Sequence, residues 1–187
     1  MSDSQSNLVL DNERACRFNL PGCTTLQTPL HKAEDEKLYE RDPAAWELTH
    51  ALIQDAHEYG LDEEDNAELY DSCPECSYRA PMGKRAFRKA GRGNPVPWTG
   101  ELRVEESGAG DDCGGWWRIY FHDLLRGENL ADEVLLSAVR LKRRDRRSAA
   151  VGRFMMNQQD RDVLDAIDSA RRWERQQRSY QLRSRTA

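Results

Sequence analysis

The segment WWRIYFHDLL, residues 116–125, constrains the fold of this chain more than any other stretch. It is rich in aromatic and β-branched side chains, which predicts a strong strand. EVLLSAVRLKR, residues 133–143, predicts the next strand, and ELRVEE, residues 101–106, a preceding one in which Leu102 and Val104 alternate with charged neighbours. The glycine-rich SGAGDDCGG between the first two reads as a loop or hairpin turn. QQDRDVLDAIDSARRWERQQRSYQL, residues 158–182, then carries Val163, Leu164, Ile167, Ala170 and Trp173 at helical spacing. Arginines crowd its last turns, where they suit the negative end of a helix dipole. Three strands and a helix predict a small antiparallel sheet closed by a C-terminal helix.

The N-terminal half has a different texture. Cys16 and Cys23 are separated by six residues in ACRFNLPGC, and Cys73 and Cys76 by two in DSCPEC. Four thiolates so arranged could give the tetrahedral shell that Zn2+ accepts, with Pro74 pre-bending the second turn. A redox pair at Cys73 and Cys76, or four buried cysteines without a ligand, are the alternatives. The chain is 38% hydrophobic and 33% charged, so its core is modest and a structural metal would help to staple it. Residues 43–60 predict a helix with Asp42 as N-cap, Pro43 at the first position and Gly60 past the end. Its apolar positions are Ala45, Trp46, Leu48, Leu52, Ile53 and Ala56. Residues 15–31 read as a knuckle and short hairpin, and residues 79–93 as a short basic helix with a glycine-rich linker. GNPVPWTG then interrupts regular structure. The expected organisation is α+β: a disordered tail over 1–14, a zinc-binding helical module over 15–93, and a sheet with its helix over 94–187.

Charge divides along the same line. The net charge is −5, yet residues 1–76 sum to −13 and residues 77–187 to +8. The second half could attract phosphate and the first would repel it, unless the two neutralise each other within the molecule. KRRDRR, residues 142–147, is either a phosphate-binding patch or a solvated loop. No apolar run approaches the length of a membrane span, and the N-terminus lacks the pattern of a signal peptide. A cytoplasmic chain with no membrane partner is expected.

Residues 98–175 resemble the RelE/ParE/HigB family of small toxins, in particular its phage-derived branch. The resemblance is carried by WTGELRVEE, GGWWRIYFHD, DEVLLSAVRLKRR and QQDRDVLDAIDSARRW. The family also has an N-terminal strand and a helical pair, of which the helix over 43–60 would supply part and so join the two halves. The resemblance implies a cytoplasmic, toxin-like protein that inhibits host translation by ribosome-dependent RNA cleavage or ribosome binding. Cleavage by 2′-OH attack needs cations on the phosphate and a group that moves a proton. Arg118 matches the family's strand arginine, and Arg140 and Lys142 its later basic residues. By the two-residue period of a strand, Tyr120 and His122 share the face of Arg118, and His122 could act as acid or base. The same row would also be ordinary on the wet face of a half-covered sheet. The expected catalytic set is Arg118, Tyr120, His122 and Lys142, with RNA held by Arg140, Arg143, Arg144, Arg146 and Arg147.

Residues 14–80 are similar to the treble-clef zinc module of HNH endonucleases, through the two cysteine pairs, TPLHK with His31, and NAELYDSCPEC with Asn66. That similarity implies a structural Zn2+ on Cys16, Cys23, Cys73 and Cys76 and a water-activating role for His31, although Ser77 occupies the family's late metal-binding position. Two alternatives to the toxin reading follow: a non-catalytic, zinc-containing protein that binds and inhibits a host protein, and an HNH-like endonuclease using His31.

Overall fold

The computed structural model describes Leu8 and residues 24–59, 78–92, 97–107, 115–124, 133–143 and 149–184. These form a five-stranded sheet with helices on both faces. In chain order the elements are β1 (Thr24–Gln27), α1 (Pro29–Arg41), α2 (Pro43–Tyr59), β2 (Tyr78–Met82), α3 (Lys84–Lys89), β3 (Thr99–Glu105), β4 (Gly115–Leu124), β5 (Glu133–Arg143) and α4 (Ala149–Ser184). The strand order is β1-β5-β4-β3-β2. The three predicted strands are its centre and pair antiparallel in the expected sequence.

The edges differ from expectation. β1 pairs parallel with β5, so the sheet is mixed, and it draws both edge strands from the N-terminal half. Residue 94 is therefore not a packing boundary. The hairpin expected over 15–31 is replaced, among the described residues, by β1 and the start of α1. Thr28 ends the strand and caps the helix, its Oγ1 accepting from the His31 N–H at 3.1 Å, and Pro29 takes the first turn. β2 holds Pro81 on an edge strand, where a missing donor costs no ladder bond. Gly100 is required by close approach: a Cβ there would lie 2.3 Å from the Phe121 ring on the neighbouring strand.

Alternate residues of β4 serve opposite layers. Trp117, Ile119 and Phe121 join Leu38, Ala45 and Ala56 of α1 and α2 in one core. Tyr120 joins Ala86 and Phe87 of α3 and Val163, Ala166 and Ile167 of α4 in the other. The predicted stripe of α4 is thus the buried one, with Ala170 and Trp173 continuing it against Leu124 and Leu135. On α2 the predicted face also holds, except that Leu48 is exposed. No helix among the described residues is long and apolar enough to cross a membrane.

Asp42 ties α1, α2 and the β3–β4 end of the sheet together. As predicted, it caps α2, accepting from the Ala45 N–H at 3.1 Å. It also accepts from the Trp117 indole at 3.0 Å, the Ser107 N–H at 2.9 Å and the Ser107 hydroxyl. Burial alone would raise its pKa; the hydrogen bonds from Ser107, Ala45 and Trp117 outweigh burial and lower it. Asp42→Ala removes a cap and strands the buried indole donor. It is expected to cost about 2–4 kcal/mol, seen as a lower urea midpoint at unchanged slope. A loss below about 1 kcal/mol would mean that the chain finds other acceptors for these donors.

Candidate functional site

The face of β3, β4 and β5 beneath α4 is polar along its length and almost entirely covered. At its β3 end, Glu101 is fully buried. Arg118 Nη1 donates to both of its oxygens at 2.8 Å, and Arg103 donates to Oε1 through Nε at 2.9 Å and Nη2 at 2.8 Å. The strand register explains the triangle: Arg118 lies directly opposite Arg103, and Glu101 opposite Tyr120. Arg118 is itself only 5% exposed, and its Nε has no hydrogen-bond partner among the described residues.

Tyr120 follows on the same face. Its hydroxyl is buried, lies near Arg118, and makes no geometric hydrogen bond among the described residues. Burial, reinforced by the Glu101 charge, pushes its pKa well above the usual phenol value, so it stays a neutral phenol near pH 7. Asp162 of α4 closes the cluster. Burial raises its pKa, while the hydrogen bond from Gln158 and the charge of Arg140 act in the other direction.

His122 lies one step further along the strand, in a separate network. A β-bulge between Tyr120 and Phe121 sets Ser137 as the extra residue on β5. His122 Nδ1 is 3.2 Å from the Thr99 hydroxyl, and Nε2 is 2.9 Å from the Ser137 hydroxyl. The Ser137 carbonyl accepts from the Thr28 hydroxyl at 2.9 Å, and Thr28 Oγ1 in turn accepts from Ser169 of α4 at 3.0 Å. The chain of hydroxyls joins β3, β4, β5, the cap of α1 and α4. His122 is fully buried. Burial lowers its pKa to about 4, against the opposing pull of the Trp98 and Ala166 backbones. At neutral pH it is an uncharged structural link.

Arg140 and Lys142 of β5 have internal partners. Arg140 pairs with Glu34 of α1 and lies 3.7 Å from Asp162 and 3.9 Å from Asp165. Glu34 also accepts from the Val139 N–H at 2.8 Å, so α1 seals the β5 edge beyond the reach of β1. Lys142 donates to Gln159 of α4 at 2.9 Å. Arg143 closes β5, and Arg144, Arg146 and Arg147 lie outside the described residues.

The predicted catalytic row is therefore assembled as one strand face, but it is sealed rather than open. Arg118 and Tyr120 belong to one buried cluster and His122 to another, and Lys142 stands at the helix-covered end of β5. Sequence reasoning missed Glu101, Glu34 and Asp162, the anions that occupy these cations. The alternation in ELRVEE carried the signal for Glu101: it shares a strand face with Arg103, in register with the expected row.

His31 departs from its expected setting. It stands in α1 rather than after a hairpin, fully buried, with neither ring nitrogen hydrogen-bonded among the described residues. Burial lowers its pKa to about 4, partly offset by Asp35. A water-activating base at this position would have no solvent to act on. His50 of α2 instead contacts Asp35, its Nε2 3.1 Å from each carboxylate oxygen.

Cys16, Cys23, Cys73 and Cys76 lie outside the described residues. Among the described residues, no group of three or more His, Cys, Asp or Glu is placed to hold a metal ion. The strands that follow the two cysteine pairs, β1 and β2, stand at opposite edges of the sheet. Four strand spacings separate those edges, about 19 Å. One ion shared by all four sulfurs requires the flanking segments to bridge that width.

No protein-family model, curated protein or solved structure matches this chain.

Proposed function

We propose that this chain is a RelE/ParE/HigB-like, toxin-type protein that inhibits translation by binding RNA or the ribosome, without cutting RNA at Arg118, Tyr120 and His122. The observation that carries this reading is the sealed row: Arg118 is 5% exposed, Tyr120 and His122 are 0% exposed, and Glu101 neutralises the arginine. A phosphodiester cannot reach such groups while α4 covers them, and binding does not require it to. The toxin-like scaffold is supported by element order. A strand and a helical pair, β1, α1 and α2, precede the antiparallel strands and the final helix, as the resemblance leads one to expect. Charge also separates by layer: α2 has no lysine or arginine, whereas α3, KRAFRK, has no acid.

Induction in a bacterial host, with amino-acid incorporation and mRNA ends followed together, tests the reading. Translation is expected to stop while mRNA remains intact. Fresh cleavage within mRNA would overturn the binding mechanism in favour of catalysis. A host-protein partner is the second reading, favoured by Tyr39 and Leu48, 56% and 57% exposed on the acidic α1–α2 pair. Unchanged translation with selective capture of one host protein, lost in Tyr39→Ala/Leu48→Ala, would select it.

Structural Zn2+ on Cys16, Cys23, Cys73 and Cys76 belongs to the same proposal. Elemental analysis of the purified chain is expected to find about one zinc per molecule, lost in Cys73→Ser. Absence of stoichiometric zinc would remove the metal and leave the reading of the sheet intact.

A further inference from the structure

We infer that the C-terminal half of α4 binds single-stranded RNA, with arginines on phosphates and Tyr180 stacked on a base. The inference rests on the proposed function in taking the ligand to be RNA, and it assigns that ligand a surface apart from the basic end of β5. Arg172, Arg175, Gln176, Ser179, Tyr180 and Arg183 line a concavity of about 340 Å³. Their spacing follows the helical repeat, so they form one continuous stripe. All six are exposed, and Tyr180 is 68% exposed.

The stripe contains no acid. Glu174, nearby on the helix, is buried and accepts from Arg178 at 2.9 Å. The earlier acids of α4 are also engaged. Asp160 pairs with Lys89 and Arg85, Asp168 accepts from Arg92 at 2.7 and 2.8 Å, and Asp162 and Asp165 lie near Arg140. Asp168 also acts electrostatically on Arg172, so the positive field is offset in part at the first residue of the stripe, which itself carries no acid.

An exposed tyrosine between cations suits a nucleic-acid strand, because a base offers a π-face and the backbone offers anions. A duplex would keep its bases stacked on one another and leave the ring without a partner, which favours a single strand. None of the six described residues of the stripe is aliphatic, so they offer nothing to enter a lipid layer or an apolar groove. From Arg172 to Arg183 the helix rises about 16 Å, the length of about five stacked nucleotides.

Fluorescence anisotropy with the full chain and a labelled oligouridylate of about 12 nucleotides tests the site. Arg172→Gln/Arg175→Gln is expected to weaken binding about 10-fold or more and to flatten its salt dependence. Tyr180→Ala is expected to weaken it between about 5- and 150-fold, with Tyr180→Phe near the parent. Lys32→Gln/Lys37→Gln makes the same charge change on α1 and is expected to stay within about two-fold. RNA binding that ignores the stripe substitutions would overturn this site while leaving RNA as the target. Polyglutamate bound as tightly as RNA, with no effect of Tyr180→Ala, would overturn it in favour of an acidic protein segment. No oligonucleotide binding by the parent chain would also overturn it, and the proposed function would fail with it only if induction left translation untouched.

Discussion

Arg118→Ala is expected to destabilise the protein by about 3–5 kcal/mol, because it leaves the buried Glu101 carboxylate to Arg103 alone. Glu101 is fully buried, and Arg118 supplies a donor to each of its oxygens at 2.8 Å. The wild-type pair itself adds little net stability, since both ions lose their hydration on folding. Removing one partner retains that cost and discards the attraction that offset it. Glu101→Gln/Arg118→Met is therefore expected to recover most of the loss, and urea unfolding of the single and double variants measures the coupling. An Arg118→Ala protein within about 1 kcal/mol of the parent would mean that water reaches Glu101, reopening a catalytic role for the row. Any growth phenotype of Arg118→Ala must accordingly be read beside its folded fraction.

Acidification is expected to remove several kcal/mol of stability before the carboxylates titrate. His31 and His122 are both fully buried, and burial lowers each pKa to about 4. The unfolded chain binds a proton at each near pH 6.5, so between pH 6.5 and 4 it holds more protons than the native state. Stability therefore rises with pH across this window and is lost as pH falls through it. Each histidine contributes about 3 kcal/mol over the full interval, and together they give a slope of up to about 2.7 kcal/mol per pH unit. His31→Leu should halve that slope and change stability at pH 7 little, because neither His31 nitrogen has a hydrogen bond to lose among the described residues. Urea midpoints that stay flat from pH 7 to pH 5 would show that both imidazoles reach solvent, and a halved slope that one does.

The central layer of this fold was legible in the sequence because its strands and final helix are long and strongly patterned. β5 matches its predicted bounds, Glu133–Arg143, and the stripe of α4 needed no more than its helical repeat. The edges were not legible. β1 has four residues, TTLQ, and β2 contains a proline, so neither offers a period long enough to read. Their strand state is set by partners distant in sequence. The opening of α1 was readable in principle, since a threonine before a proline is an N-terminal signature, but the neighbouring cysteines drew that segment into a knuckle. At the site, the row Arg118, Tyr120 and His122 was found correctly as a face. Its burial was not, because the alternation of a strand marks two faces and does not say whether a helix covers the polar one.

The pairing of β1 with β5 bears on how this chain is made. Thr24 meets Glu133, and Thr28 bonds Ser137 across 109 intervening steps of sequence. At ordinary elongation speed the first strand waits about 5–20 s for its neighbour to leave the ribosome. α2 gains β3 and β4 to pack on before then, but α1 waits for β5 to complete its contact with the sheet. The native arrangement is thus completed only once β5 emerges, and the net negative charge of α1 and α2 is expected to disfavour association of their apolar sides before that.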